Sequence, residues 1–104
     1  MQVCQAAEVN YTDILLSPGS YLNRAVVMKG TFYYNNTERK SFEIKQGDNK
    51  IEIFYENLPR QKWAQILQQK NFSGSDVTVS GIVKRFGNTE NSFYIMATDV
   101  VIAP

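Results

Sequence analysis

Ala25-Val26-Val27-Met28-Lys29-Gly30-Thr31-Phe32-Tyr33-Tyr34 is the stretch on which the fold turns. Val26, Met28, Gly30 and Phe32 alternate with Val27, Lys29, Thr31 and Tyr33, the two-residue period of a strand with one buried face. Gly30 falls on the inward side. A glycine there lets a strand bend sharply or lets another backbone approach, which is how small barrels turn corners. Downstream the period recurs. Asn35-Asn36-Thr37 is a polar turn, and Ser41 to Lys45 carries Phe42 and Ile44 inward with Glu43 and Lys45 outward. Gln46-Gly47-Asp48-Asn49 turns the chain again, and Lys50 to Glu56 sets Ile51, Ile53 and Tyr55 against Lys50, Glu52, Phe54 and Glu56. Three strands joined by two polar turns predict a meander.

The pattern then changes to helix. Pro59 suits a first helical turn, where its missing N–H costs nothing, and Trp63, Ile66, Leu67 and Lys70 recur at three- and four-residue spacing through Arg60 to Gln69. After Asn71-Phe72-Ser73-Gly74-Ser75 alternation returns, with Val77, Val79, Gly81 and Val83 inward and Thr78, Ser80, Ile82 and Lys84 outward. Gly81 repeats the role of Gly30. Phe86 to Ser92 is a loop, and a last strand sets Phe93, Ile95 and Ala97 against Tyr94, Met96 and Thr98 before Val100 and Ile102.

Upstream, residues 1–23 read as a lead-in packed on a barrel formed by residues 24–104. Val9, Tyr11, Ile14 and Leu15 are loosely helical in spacing until Ser17-Pro18-Gly19-Ser20 stops the helix. Ile14, Leu15 and Leu16 are expected to close one end of the barrel, because three large apolar residues in water would invite aggregation.

Composition narrows the function. The 104 residues suffice for one domain, and with no histidine and only Cys4 a zinc site, a haem ligand pair, a Cys–His or Ser–His pair and an internal disulfide are excluded. Asp48, Asp76 and Asp99 are turn or strand-end residues with no base, metal ligand or phosphate-cradling loop beside them in sequence. The expectation is a non-enzyme without cofactor or metal. Eleven Lys and Arg against ten Asp and Glu leave no large one-signed field. No apolar run reaches the ~20 residues a membrane span needs. A single thiol near the start suits a reduced cytosol, and equally an exported or periplasmic domain whose leader was removed. Cys4 itself reads as incidental, since no upstream apolar segment accompanies it. Oligomeric state is not legible.

Strand, strand, strand, helix, strand, strand, with a glycine inside the first and fourth strands, is the order of the OB-fold, an all-β five-stranded Greek-key barrel with one helix. Tyr21-Leu22-Asn23-Arg24-Ala25-Val26-Val27-Met28-Lys29-Gly30-Thr31-Phe32 resembles the first strand of bacterial OB-fold domains of the tRNA-anticodon-like type. Gly74-Ser75-Asp76-Val77-Thr78-Val79-Ser80-Gly81-Ile82-Val83 is similar to their fourth strand, and Phe93-Tyr94-Ile95-Met96-Ala97-Thr98-Asp99-Val100 to their closing one. The resemblance covers residues 20–103. It implies a ligand across the outer face of the second and third strands, flanked by the loops joining strands one to two and four to five. By position that face holds Lys29, Thr31 and Tyr33, then Lys45, then Lys50, Glu52 and Phe54. Asn35, Asn36, Arg39, Lys40, Arg85, Phe86 and Asn88 would rim it, with Tyr94 beside Lys84.

Such a face suits single-stranded nucleic acid bound with little sequence specificity, because bases stack on aromatic rings while lysines track the backbone. Tyr33, Phe54 and Tyr94 are the candidate stacking surfaces; Lys29, Lys45, Lys50, Lys84 and Arg85 are the candidate phosphate contacts. The competing reading of the rings is ordinary strand aromatics covering their neighbours, and a single bulge would reverse their facing. Glu43, Glu52 and Glu56 alternate with Lys45 and Lys50, which also suits a solvated face of cross-strand ion pairs. The alternative functions are a protein-interaction or structural domain, or oligosaccharide binding. Trp63 could anchor a partner, but with Ile66 and Leu67 on its stripe it reads as a plug for the barrel end.

Overall fold

The twelve-residue strand β2 (Ala25–Asn36) is long enough to serve two neighbours. In the computed structural model, which describes residues 7–86 and 92–103, its first part pairs antiparallel with β5 (Asp76–Arg85) and its second with β3 (Ser41–Gln46). Strand β3 pairs with β4 (Asn49–Phe54), β4 runs parallel to β6 (Phe93–Ile102), and β6 returns antiparallel to β5. The five strands thus close on themselves as an all-β OB-fold barrel.

Gly30 stands where β2 passes from one neighbour to the other. A Cβ there would lie 2.6 Å from the Lys45 carbonyl oxygen, so only glycine admits the crossing backbone. At Gly81 a Cβ would meet the Met96 carbonyl oxygen at 2.5 Å and Ile95 Cγ2 at 2.6 Å. Both inward glycines are close-approach positions.

The alternation places the core as expected. Val26, Met28, Phe32, Phe42, Ile44, Ile51, Ile53, Tyr55, Val77, Val79, Val83 and Ile95 are all buried. Phe32 stacks on Phe42 with centroids 5.3 Å apart, and Phe42 meets Tyr55 at 6.2 Å. Each such burial contributes ~1.5–3 kcal/mol. Desolvation raises the Tyr55 phenol above its ordinary value, since an ionised ring oxygen has no water there.

Two bulges interrupt the alternation. Phe32 faces Ile44 but Tyr34 faces Glu43, so Tyr33 is an extra residue and the facing reverses after it. In β6 Ala97 faces Gly81 and Asp99 faces Ser80, leaving Thr98 over, with its hydroxyl donating to the Ser80 carbonyl at 3.1 Å. That shift explains why Ala97 and Val100, three apart, are both buried.

The lead-in differs from the expected single helix. A two-residue strand, β1 (Ala7–Glu8), runs parallel to β2 opposite Val26 and Val27. Helix α1 (Tyr11–Leu16) starts at Asn10, whose side chain accepts from the Asp13 amide at 2.9 Å while the Asp13 carboxylate accepts from the Asn10 amide at 3.1 Å. Helix α1 stops at Ser17 as expected, but Pro18 then opens a further turn, α2 (Pro18–Tyr21), from the first position. Of the three apolar residues expected to close the barrel, Ile14 is buried and Leu15 half-buried, whereas Leu16 is 77% exposed. A helix of this length has one core-facing stripe, and Leu16 lies off it.

Helix α3 (Arg60–Leu67) has Pro59 in extended conformation as its N-cap, just outside the first turn that the sequence suggested for it, and stops before Gln68 and Gln69 join it. Ile66 is buried and Trp63 half-buried edge-on to Tyr55 at 5.5 Å, but Leu67 is exposed. Cys4 and Asn88 lie outside the described residues. No helix among those described is long and apolar enough to cross a membrane.

Candidate functional site

The outward side chains of β3 and β4 are ordered by their register. Ser41 faces Phe54, Glu43 faces Glu52 and Lys45 faces Lys50, so like charges lie opposite one another in two successive rows. Each row is relieved locally. Glu52 accepts from Arg39 Nε at 3.0 Å and Nη2 at 3.3 Å, and from the Ser41 hydroxyl at 2.7 Å. The Lys45 and Lys50 ammoniums lie 5.2 and 4.6 Å from the centroid of the Tyr33 ring.

The rings fall into two groups instead of one platform. Phe54, from β4, meets Tyr94, from β6, edge-on at 4.8 Å. Phe86, just beyond β5, lies 4.8 Å from Tyr94 and 6.5 Å from Phe54. These three rings, with Met96, Arg85 and Glu56, line an open cleft of about 360 Å³. The Arg39 guanidinium sits 5.5 Å from the Phe54 centroid, held there by Glu52. The face of one of these rings can stack a flat ring, and the Arg85 guanidinium on the lining can attract an anion attached to it.

The second group surrounds Tyr33. Phe72 meets Tyr33 edge-on at 5.0 Å and Tyr34 at 6.1 Å. The loop after α3 carries Phe72 there by extending the ladder of β2: the Phe72 amide donates to the Tyr33 carbonyl, and the Gly74 amide to that of Phe32. Asn71 accepts from the Asn35 amide at 2.8 Å. Phe72 has a φ of 63° and is 64% exposed, a costly arrangement for a large apolar side chain.

The other candidate residues are scattered. Lys29 pairs with Glu8 at 3.3 Å, both side chains largely exposed. Thr31 lines a separate depression of about 440 Å³ with Lys29 and Asp76. Lys40 reaches to 5.8 Å from the Trp63 ring, whose other neighbouring cation is Arg60 at 4.4 Å. Lys84, opposite Tyr94, donates to Asn23 Oδ1 at 3.3 Å. The structure therefore joins Phe54, Tyr94 and Arg85, and separately Tyr33, Lys45 and Lys50. Sequence reasoning did not find Met96, Glu56, Tyr34 or Phe72 as site residues. Met96 and Glu56 follow from the same alternation as Phe54, but no periodic signal marks Phe72. Among the described residues no group of three or more His, Cys, Asp or Glu could hold a metal ion.

No protein-family model matches the chain, and no curated protein matches it. Solved structures do. A chain described as an aspartyl-tRNA synthetase from Leishmania major Friedlin superposes with a TM-score of 0.73 at 11% identity, over 97% of this chain and 21% of that one. The hypothetical protein ygiW from E. coli gives 0.64 at 11% identity, over 98% and 100%. An OBody, AM1L10, bound to hen egg-white lysozyme gives 0.68 at 16% identity, over 98% of each chain. The chain thus spans about a fifth of the synthetase's length. Likeness at these identities establishes the OB-fold barrel, and ligand chemistry has to come from the cleft.

Proposed function

We propose that the chain is a non-catalytic OB-fold binding module for single-stranded nucleic acid, bound with little base specificity. The observation that carries this reading is the open cleft walled by Phe54, Phe86 and Tyr94 with Arg85 on its lining. A base entering the cleft would stack on the face of one of these rings, and every base has a π-face, so stacking discriminates little. The synthetase neighbour, which by its name works on an RNA, supports the same class of ligand. The barrel carries eleven bases against eight acids beyond residue 23, a surplus that suits moderate, salt-sensitive affinity rather than tight binding. A protein ligand is the second reading. It is favoured by exposed Phe72 beside Tyr34, and by the OBody whose partner is lysozyme.

The test is fluorescence anisotropy with labelled mixed-sequence single strands of ~10–20 nucleotides, DNA and RNA, at low and physiological salt. Binding is expected to weaken with salt. Phe54→Ala should weaken it about tenfold, the loss of one stacked base at ~1–3 kcal/mol. No binding at low salt, or binding indifferent to Phe54→Ala, overturns the reading and passes weight to a protein partner.

A further inference from the structure

We infer that a single strand held in the Phe54–Phe86–Tyr94 cleft leaves it across β6 and β5, along Arg85 and Lys84, and not across β3 toward Lys45 and Lys50. This rests on the reading of the cleft as a nucleic-acid site. The argument comes from the sheet register. Strands β4 and β6 run parallel with Ile53 opposite Ile95 and Phe54 opposite Met96, so one pleat back Glu52 and Tyr94 occupy corresponding outward positions. From Tyr94 a strand can follow that row in two directions.

Toward β3 it meets two carboxylates in succession, Glu52 and then Glu43 directly opposite it. Arg39 does not open this route, because its guanidinium is engaged with Glu52. The Lys45–Lys50 row lies beyond the acids, about 13 Å along β4 from Phe54 at ~3.3 Å per residue. Both ammoniums are already drawn onto the Tyr33 ring. A phosphate crossing here would face two carboxylates against the single guanidinium of Arg39.

Toward β5 the row meets Lys84, the partner of Tyr94 in the ladder. The neighbouring outward row runs Phe54, Met96, Ile82 and Ala25, a surface without charge. Lys84 itself donates to Asn23 Oδ1 at 3.3 Å. Arg85, also exposed, already lines the cleft. Two cations beside an apolar strip give a strand both apolar contact and counter-charge, while the acids on the other side repel the wrong course.

The experiment measures log affinity against log salt for one labelled 15-nucleotide strand. Each phosphate contact contributes about 0.7 to the slope for single strands. Lys84→Gln and Arg85→Gln should each lower the slope by about 0.7, and the two together by about 1.4. Lys45→Gln and Lys50→Gln should leave it unchanged. Circular dichroism of each variant confirms the fold, and exposed Arg85 keeps the test valid if removing the Lys84–Asn23 bond destabilises the barrel. A slope lost at Lys45 and Lys50 and kept at Lys84 and Arg85 overturns the path alone. Absence of binding by the unsubstituted chain overturns the nucleic-acid reading and the path with it, and binding without salt dependence overturns the phosphate track.

Discussion

Gly81 shows how much one residue position can hold. Its missing side chain lets β6 pass with the Met96 carbonyl oxygen where a Cβ would be, and it adjoins the bulge at Thr98. Backbone cannot swing aside as a flexible side-chain end can. Gly81→Ala is therefore expected to destabilise the barrel by about 1–3 kcal/mol or more, seen as a lower urea midpoint. A midpoint equal to that of the unsubstituted protein would show that β6 can relax. The sequence disclosed this position because an inward glycine in an alternating strand has few other uses. It did not disclose Phe72, since an aromatic residue in an irregular loop carries no period, and only its long-range bond to Tyr33 places it.

At the scale of elements, the lead-in is tied to the barrel at two depths. Val9 and Ile14 enter the core, and Gln46 at the end of β3 accepts from the Tyr11 amide at 2.7 Å while donating to the Lys29 carbonyl at 2.7 Å. The adjacent Leu16 contributes no burial. Ile14→Ala should cost about 2–5 kcal/mol, whereas Leu16→Ser should stay within about 0.5 kcal/mol, both read from chemical denaturation. Equal losses would mean that Leu16 is covered. Strand β1 was not legible, because two residues carry no alternation, and their pairing depends on the edge that β2 leaves free before it meets β3. The end of α3 is not legible in the sequence for a related reason. The Asn35 side chain donates to the Ile66 carbonyl at 3.2 Å, so a residue 31 positions away occupies the helix end.

Over the whole molecule the strands and α3 share one buried core, so a charge created inside it acts on global stability. Tyr55 is 1% exposed and its phenol is held protonated above the ordinary value near 10. The unfolded chain loses that proton first. The contribution is complete below about pH 10 and is lost as pH rises through the higher folded-state value, so stability falls with pH in that window. Tyr55→Phe should flatten the fall in urea midpoint between pH 10 and the alkaline limit of folding, and an unchanged fall would assign the loss to other groups.

Sequence alone determined the barrel, its inward faces, the two close-approach glycines and the helix between the third and fourth barrel strands. Each of these follows from one-sided burial, which imposes a period of two or 3.6 on local sequence. Tertiary structure alone decided which outward residues are neighbours. The bulges at Tyr33 and Thr98, the parallel pairing of β4 with β6 and the Glu43–Glu52 row split one imagined aromatic and basic face into two. Alternation says which side of a strand a residue faces. Only the offset between strands, set by turns and bulges distant in sequence, says what stands beside it.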